Sequence, residues 1–451
     1  MTAPIAMPSR DDPAVAEASA WVGGPAGDHA GARHRWWSPL RIALAVACAV
    51  MALGVVADKH CHDDGWASRD DRGDWTALCY SDVPYLYRER GLASGAMVYR
   101  DVALEYPVLT GALMQVTALV VRTADVIGDP VPADGGVEES VRFYDITAVL
   151  MGLAGLVVVI ATARTVPRRP WDAMLVAASP LLLLTATINW DLLAVALASL
   201  AILAWTRERP VAAGVLIGLG TAAKLYPVLL LGPMLLVAWR APDRRAALGR
   251  FLVTALTAAL SWCAVNLPVA IWAPDGWRAF FSFNADRGPD FGSVWYALDV
   301  IAPDLLPERI DTLVIVVAVV LLALIVTLAL KAPEPPRLAQ LAFLAVAAFL
   351  LVNKVWSPQY TLWLLPLAAL ARPRWRDLLI WQAVEVMYFA AVWWHLATIF
   401  DPTQPLISNQ TYAMAIVLRV AAVLWLAGLI VADILRPEND PVRPYVTVAA
   451  A

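Results

Sequence analysis

Residues 310–330 read IDTLVIVVAVVLLALIVTLAL, and the 19 residues that follow Asp311 contain no charged side chain. An α-helix rises 1.5 Å per residue, so 19 residues cover about 28 Å. The hydrocarbon core of a bilayer is about 30 Å thick. This stretch therefore predicts a helix that crosses a membrane.

The rest of the chain has the same character. Of its 451 residues, 60% are apolar and 16% are charged, and the mean hydropathy is +0.63. A soluble chain would carry about 25% charged residues. Thirteen apolar segments alternate with short charged ones: 36–57, 106–122, 144–163, 172–187, 190–205, 211–223, 225–239, 251–272, 310–330, 338–352, 359–371, 377–396 and 411–434. The pattern predicts an all-α polytopic bundle with about 11 to 13 membrane segments, since several segments are too short to cross unaided.

The polar segments give the expected organisation. Residues 1–35 show no apolar period and predict a disordered cytoplasmic tail. A transmembrane domain follows over 36–434 and contains two long outer loops, 58–105 and 273–309. Residues 435–451 form a cytoplasmic C-terminal tail.

Charge and cysteine content exclude other classes of protein. Lys and Arg total 34 against 38 Asp and Glu, a net charge of −4, which provides no basic face for nucleic acid. Cys48 and Cys263 lie in apolar runs, which excludes a disulfide scaffold. One bridge, between Cys61 and Cys79, is plausible if their loop faces an oxidising compartment.

Arginine and lysine clusters set the predicted orientation. By the positive-inside rule the basic stretches face the cytoplasm: the tail through Arg41, 164–169, 207–209, 240–250, 331–337, 372–376 and 436–443. One conflict remains. If 58–105 lies outside and Arg168 inside, residues 106–163 must cross the membrane an odd number of times, although they contain two apolar segments. Either 106–122 is a partial span, or the Arg168 loop breaks the rule.

The first outer loop begins with a cluster of acidic residues, namely Asp63, Asp64, Asp70, Asp71 and Asp74. Their spacing fits no calcium-binding loop. A solvated acidic turn is the favoured interpretation, and no metal site is predicted.

Six motifs follow in order along the chain. They are Tyr80-Ser-Asp82-Val-Pro84-Tyr85, Glu105-Tyr106-Pro107, Asn189-Trp190-Asp191, Lys224-Leu-Tyr226-Pro227, Arg287-Gly288 with Ser293-Val-Trp295, and Asn353-Lys354-Val-Trp-Ser357-Pro358-Gln359-Tyr360. With the hydropathy profile, they resemble the GT-C glycosyltransferases, and within them glycosyltransferase family 87. Val108 departs from the family's Tyr-Pro-Pro helix entry.

The resemblance implies a GT-C catalytic domain over 36–434 and a multi-pass enzyme of the plasma membrane with an outward-facing site. It implies an inverting transfer of a hexose, usually mannose, from a polyprenyl phosphate to a glycolipid or glycan, without metal or cofactor. Actinobacterial phosphatidylinositol mannoside mannosyltransferases are the relatives to which the chain looks similar.

Such a transfer needs a base for the acceptor hydroxyl. Asp82, among aromatic residues beyond the first span, is the predicted base. The structural alternative is a capping or turn residue before Pro84. Asp101 and Glu105 are alternative bases.

The departing phosphate needs cations. Lys224 and Lys354 lie in short junctions between apolar segments, where they either bind phosphate or snorkel to headgroups. Arg287 suits bidentate phosphate recognition, although an ion pair with Asp286 or Asp290 is the simpler interpretation.

The remaining binding candidates come from the same motifs and from one helix end: Tyr106, Asn189, Asp191, Tyr226, Asn353, Ser357, Gln359, Tyr360 and His395. For Asn189 and Asp191 the structural alternative is a helix cap. His395 either lines the site or belongs to an aromatic belt.

Two charges lie deep inside apolar segments, Glu385 in 377–396 and Arg419 in 411–434. A structural ion pair between neighbouring helices is the favoured interpretation. The rival class for the whole chain is a transporter or flippase of a polyprenyl-linked sugar, but the two halves show no repeat and the polar residues cluster at outward ends.

Overall fold

The structure is a computed structural model that describes residues 12–21, 36–66, 73–127, 137–306 and 310–443. Within these ranges the chain is helical and contains no β-sheet. The α-helices are α1 Pro13–Trp21, α2 Pro39–Ala57, α3 Lys59–Asp63, α4 Gly73–Thr76, α5 Asp82–Glu89, α6 Val108–Ile127, α7 Val137–Thr165, α8 Met174–Ala177, α9 Pro180–Thr185, α10 Asp191–Thr206, α11 Pro210–Ala223, α12 Leu231–Arg240, α13 Arg244–Trp272, α14 Pro274–Asp286, α15 Val294–Ile301, α16 Ile310–Lys331, α17 Leu338–Val352, α18 Thr361–Ala371, α19 Trp375–Phe400 and α20 Asn409–Leu435. Short 3₁₀ helices occupy Pro170–Ala173, Tyr226–Leu230, Pro303–Leu305, Pro358–Tyr360 and Pro437–Asn439.

Six of the described helices are long and apolar enough to cross a membrane, namely α2, α7, α13, α16, α19 and α20. Shorter apolar helices accompany them, among them α10, α11 and α17. The predicted all-α polytopic membrane fold is thereby confirmed. The predicted segment 172–187 is broken into a 3₁₀ turn and the short helices α8 and α9, because Pro170 and Pro180 each begin a new helical piece.

The basic stretches assemble at one end of the bundle. Arg207 Nη2 donates to the carbonyl of Arg164 at 3.0 Å, and Arg337 Nη1 donates to the carbonyl of Leu370 at 2.7 Å. Arg337 also pairs with Asp440, Nε to Oδ2 2.7 Å. Stretches that are far apart in sequence thus share one face, as the positive-inside pattern requires.

Helix α6 removes the conflict over 106–163. Gln115 Oε1 accepts from the backbone N–H of Val98 at 2.9 Å, and a methyl group at Gly95 would lie 2.4 Å from Nη1 of Arg122. Since Gln115 and Arg122 both contact the first outer loop, α6 runs along that loop and does not lead away from it across the membrane.

The first turn of the next helix, α7, contacts the 58–105 loop. Glu139, at the start of α7, accepts from Tyr87 OH in the same outer loop at 3.0 Å. Helix α7 therefore starts at the end of the bundle that carries the 58–105 loop and ends at Arg164 on the opposite, basic face. Without α6, twelve of the thirteen predicted segments remain. An even number is consistent with the start of the first segment and the end of the last lying on the same face.

Parts of both predicted tails make contacts. Asp12, which precedes α1, accepts from the N–H of Trp375 at 2.8 Å, and Asp440 pairs with Arg337. Residues 1–11, 22–35 and 444–451 of these tails lie outside the described residues, as do Asp70 and Asp71 of the acidic cluster.

A disulfide joins Cys61 to Cys79 in the first outer loop. Trp66 Nε1 donates to the carbonyl of Cys79 at 2.9 Å. The bridge and this hydrogen bond together hold the segment that leads into Tyr80.

The predicted ion pair between Glu385 and Arg419 is confirmed, with Arg419 Nε 2.8 Å from Glu385 Oε2. Both side chains are fully buried between α19 and α20. Arg419 Nη1 also donates to the carbonyl of Trp356 at 2.6 Å, and Nη2 to that of Ser357 at 3.3 Å. The pair therefore fastens the 353–360 segment to both helices.

Candidate functional site

A cavity of about 370 Å³ opens at the end of the bundle opposite the basic face. Its walls come from the first outer loop, the junctions at 188–189, 224 and 357–360, helix α14 and the outer part of α19. The lining residues are Trp75, Tyr80, Asp82, Tyr85, Leu86, Glu105, Tyr106, Pro107, Ile188, Asn189, Lys224, Phe280, Phe283, Asn284, Arg287, Phe291, Ser357, Pro358, Gln359, Tyr360, Val392, Trp393 and Leu396.

Asp82 is presented to this cavity by the first turn of α5. Ser81 caps that helix, since its Oγ accepts from the N–H of Val83 at 3.2 Å. The same hydroxyl donates to the carbonyl of Thr187 at 2.8 Å, and the N–H of Asp82 donates to that of Ile188 at 2.8 Å. The backbone of Asp82 is thus tied to the junction that carries Asn189.

Two tyrosine hydroxyls bind the Asp82 carboxylate. Tyr80 OH donates to Oδ1 at 2.9 Å and Tyr106 OH donates to Oδ2 at 3.2 Å. Burial raises the pKa of Asp82 above its ordinary value of 3.8, while these hydrogen bonds and the charge of Lys224 oppose the rise. A carboxylate with a raised pKa is a better proton acceptor than an ordinary aspartate.

Lys224 lies on the cavity wall and pairs with a buried carboxylate, that of Asp191. Its Nζ is 2.8 Å from Oδ1 of Asp191 and lies over the rings of Tyr106 and Tyr360, at 4.7 Å and 5.4 Å from their centroids. Burial alone would lower the pKa of Lys224, but Asp191 and the other neighbouring acids outweigh it and raise the pKa. The ammonium group is therefore charged at neutral pH and faces the cavity.

Arg287 provides a second cation on the cavity wall. It pairs with Asp290, Nε to Oδ2 2.6 Å, and its guanidinium lies 5.4 Å from the ring centroid of Phe283. The ion pair that we gave as the simpler interpretation is present, and Arg287 lines the cavity as well.

The structure brings nine of the fifteen predicted site residues to the cavity wall: Asp82, Glu105, Tyr106, Asn189, Lys224, Arg287, Ser357, Gln359 and Tyr360. Among these, Glu105 is engaged in a bidentate pair with Arg90, at 2.9 Å and 2.8 Å. This engagement makes Glu105 a poorer candidate for a base than Asp82.

The other six predicted residues do not line the cavity: Asp101, Asp191, Tyr226, Asn353, Lys354 and His395. Asp191 pairs with Lys224, which does line the cavity. Tyr226 stacks on Trp363, with ring centroids 4.5 Å apart. Asn353 is the C-cap residue that follows α17.

Asp101, Lys354 and His395 have partners of their own. Exposed Asp101 accepts from the N–H of Met97 at 2.9 Å, as a turn residue does. Lys354 Nζ pairs with Asp311 Oδ1 at 2.9 Å and donates to the carbonyl of Ala285 at 3.0 Å. His395 is fully buried, and its Nε2 lies 2.9 Å from Tyr296 OH.

Sequence reasoning missed the aromatic residues of the cavity as site residues, chiefly Trp75, Tyr80 and Trp393, and the residues of α14 that face it. Their signal was present as aromatic enrichment of the first outer loop and of the end of segment 377–396. Which of these rings meet in one wall is a tertiary property.

The fold and the site define a polytopic helical membrane protein in which two carboxylates, two cations and several aromatic rings of the described residues surround a cavity at one end of the bundle. Among the described residues, no group of three or more His, Cys, Asp and Glu side chains is arranged to hold a metal ion.

Residues 140–353, just under half of the chain, match the sequence profile of Glycosyltransferase family 87. The match confirms the predicted resemblance to this family. A search among curated proteins gave no match.

Two solved structures show a distant likeness. The first is ArnT from Cupriavidus metallidurans bound to undecaprenyl phosphate, at 15% identity and a TM-score of 0.41, over 78% of this chain and 72% of that one. The second is the Archaeoglobus fulgidus oligosaccharyltransferase in the apo form, at 14% identity and a TM-score of 0.38, over 89% of this chain and 56% of the other. Likenesses at these scores assign neither function nor site residues.

The contacts of Asp82 predict how the rate of sugar transfer depends on pH. If Asp82 is the base, the rate falls as pH drops through its raised pKa. In Tyr80→Phe the ionised carboxylate loses one hydrogen bond, so this acidic limb should move to higher pH by about one unit. The measurement is kcat/KM against pH, and Tyr296→Phe, whose hydroxyl contacts His395 instead, is the matched control. An unmoved limb in Tyr80→Phe would contradict the assignment.

Proposed function

We propose that this protein is a membrane glycosyltransferase that moves a hexose, mannose by the family resemblance, from a polyprenyl phosphate to a hydroxyl of a glycolipid or glycan acceptor. The reaction is an inverting single displacement at the outer face of the plasma membrane. The observation that carries the proposal is that Asp82, Lys224 and Arg287 line one cavity.

Asp82 is the general base in this proposal. Its carboxylate takes the proton of the acceptor hydroxyl while the oxygen of that hydroxyl attacks the anomeric carbon. The bond from that carbon to the phosphate oxygen breaks, and the polyprenyl phosphate leaves with the electron pair. Burial raises the pKa of Tyr106, so its hydroxyl keeps its proton. The hydroxyl therefore continues to donate to Asp82 Oδ2 and helps to orient the base.

Lys224 and Arg287 stabilise the departing phosphate. The phosphate gains negative charge as the glycosidic bond breaks, so a fixed cation binds the transition state more tightly than the intact donor. Lys354, which we expected to share this role, is engaged by Asp311 and lies off the cavity wall. In this proposal the two remaining cations carry the charge stabilisation, and no metal or cofactor takes part.

Helix α14 supplies the lipid side of the cavity. Phe280, Phe283 and Asn284 line the cavity, and no residue of the helix is fully buried in the protein. Phe283 is 44% exposed. An aromatic helix that faces the cavity on one side and its surroundings on the other suits an entry for a prenyl chain.

The proposal predicts distinct effects of three substitutions on turnover. Purified protein in lipid nanodiscs should convert polyprenyl phosphate [¹⁴C]mannose and membrane lipids into a labelled product and free polyprenyl phosphate. Asp82→Asn should lower kcat about 100-fold or more, since it removes the proton acceptor but keeps the shape. Lys224→Gln and Arg287→Gln should each lower kcat about 30- to 1,000-fold, with a smaller change in donor affinity.

Lys354→Gln is the matched control, because it removes a lysine at the same end of the bundle that does not line the cavity, and it should keep near-normal turnover. Thermal unfolding of each variant separates lost chemistry from lost fold. A wild-type protein that binds the donor and moves it between leaflets without cleaving it would contradict the enzyme and favour the transporter.

The outward orientation is a separate prediction with its own experiment. Ser94 is exposed in the first outer loop, and Ala246 is exposed in the first turn of α13, on the basic face. In intact cells, an impermeant maleimide should label Ser94→Cys and should label Ala246→Cys only after lysis. The reverse pattern would place the cavity in the cytoplasm and overturn the outer-face proposal.

A further inference from the structure

A second cavity, of about 400 Å³, lies at the basic end of the bundle. Its walls come from the ends of α7, α10, α12 and α18, from the starts of α13 and α17, and from the segment after α20. Most of the lining is apolar and includes Trp205, Val237 and Leu338. No lining residue is shared with the cavity of Asp82. We call this space the basic-end cavity.

Two arginines line the basic-end cavity, and they differ in their partners. Arg337 pairs with buried Asp440, Nε to Oδ2 2.7 Å, and donates to two backbone carbonyls. Among the described residues, Arg250 has one carboxylate within ion-pair distance, that of Glu208, at 3.7 Å. This distance is too long for a hydrogen bond and the Glu208 side chain is 72% exposed, so the pair is weak. The Arg250 guanidinium therefore keeps donors for another partner.

The chain around this cavity carries an excess of positive charge. Stretches 207–209 and 240–250 contain six arginines and two acidic residues, Glu208 and Asp243. Asp243 caps α13, since its Oδ1 accepts from the N–H of Ala246 at 3.1 Å. The positive-inside pattern accounts for arginines that face water, but it does not require one to line an apolar cavity. The position of Arg250 therefore suits an anion that is attached to an apolar group.

A second apolar surface lies beside the basic-end cavity. It is an open hollow of about 620 Å³ along the start of α11, lined by Arg209, Pro210, Val211, Ala212, Val215 and Leu216. Thr254, one helical turn after Arg250, connects the two spaces, because its hydroxyl donates to the carbonyl of Pro210 at 3.1 Å and to that of Arg250 at 3.0 Å. We call this space the α11 hollow. Two apolar spaces thus flank the segment of α13 that carries Arg250.

We propose that these two spaces bind an anionic diacyl glycerophospholipid of the surrounding bilayer. Its phosphodiester binds the guanidinium of Arg250, one acyl chain enters the basic-end cavity beside Trp205 and Leu338, and the other lies along the α11 hollow. A zwitterionic lipid carries a cation that the neighbouring arginines repel, so a lipid with net negative charge is preferred. The site is independent of the proposed function, since it shares no residue with the cavity of Asp82.

The first experiment measures which lipid binds. Native mass spectrometry of the full-length protein, released from detergent micelles, gives the Kd of the first bound lipid during titration with dioleoyl phosphatidylglycerol or dioleoyl phosphatidylcholine. Phosphatidylglycerol should bind at least about 5-fold more tightly, because its headgroup has no cation. Soluble glycerol 3-phosphate should not compete, since it lacks the acyl chains.

Substitution of Arg250 tests the proposed contact with the phosphate. Arg250→Gln should raise the Kd for phosphatidylglycerol about 5- to 30-fold, and Arg250→Lys should recover part of the loss because it keeps the charge. Arg245→Gln is the matched control, since it removes one charge from an exposed residue of the same helix that lines neither space. Its Kd should stay within about 2-fold of the wild-type value.

Thermal unfolding separates lost binding from lost fold. A ligand that binds only the native state stabilises it. Phosphatidylglycerol should therefore raise the Tm of the wild-type protein and of Arg245→Gln, and should raise that of Arg250→Gln less. Without lipid, the three proteins should unfold at similar temperatures.

A photoactivatable phosphatidylglycerol, with a diazirine on one acyl chain, locates the site without any substitution. It should label peptides that contain 202–206, 211–216 or 237–241. Four results would overturn the proposal: equal affinity for phosphatidylcholine, competition by glycerol 3-phosphate, Arg250→Gln that behaves like Arg245→Gln, and labelling spread over exposed helices such as α16 without enrichment at these peptides. Displacement of phosphatidylglycerol by an equal concentration of polyprenyl phosphate would assign the site to a different lipid and would also contradict it.

Discussion

The guanidinium of Arg419 is buried where α19, α20 and the 353–360 segment meet. It pairs with Glu385 and donates to the carbonyls of Trp356 and Ser357. A charge at this depth is tolerated only when it is paired and hydrogen-bonded. These contacts fix the backbone from which Gln359 reaches the cavity, so an ion pair that does not line the cavity determines the shape of its wall.

The cavity follows the same rule of paired charges, with one difference. The carboxylate of Asp191, behind the wall, pairs with Lys224, whereas Asp82, on the wall, accepts hydrogen bonds from the hydroxyls of Tyr80 and Tyr106. Burial without an intimate cation raises the pKa of Asp82. Two carboxylates near one lysine thus acquire different properties, one structural and one suited to accept a proton.

The sequence predicted the bundle, the segregation of its basic stretches and the Glu385–Arg419 pair, because apolar length, positive charge and intramembrane ions are local signals. It did not show that α6 follows the outer loop. Residues 106–122 are apolar enough to cross a membrane, and only the spacing of Gln115 and Arg122, seven residues apart on one helix face, indicated a polar side.

Part of the site was predictable, because the motifs that carry it are also local signals. Motifs identified Asp82, Tyr106, Lys224 and Arg287, which all line the cavity. Lys224 and Lys354 look alike in sequence, since each lies in a junction between apolar segments. Only the tertiary structure shows that Lys224 faces the cavity while Lys354 is engaged by Asp311. Trp75 and Tyr80 contact Trp393 more than 300 residues away in sequence, and no single motif contains such a contact.

The central claim is that one cavity holds the leaving phosphate between Lys224 and Arg287, within reach of the base. A cryo-electron microscopy structure of the protein with bound polyprenyl phosphate tests this claim most directly. The account predicts phosphate density in contact with Lys224 Nζ and the Arg287 guanidinium, with the first prenyl units along Phe280 and Phe283. Density for the polyprenyl phosphate at Lys354, or at the basic end of the bundle, would contradict it.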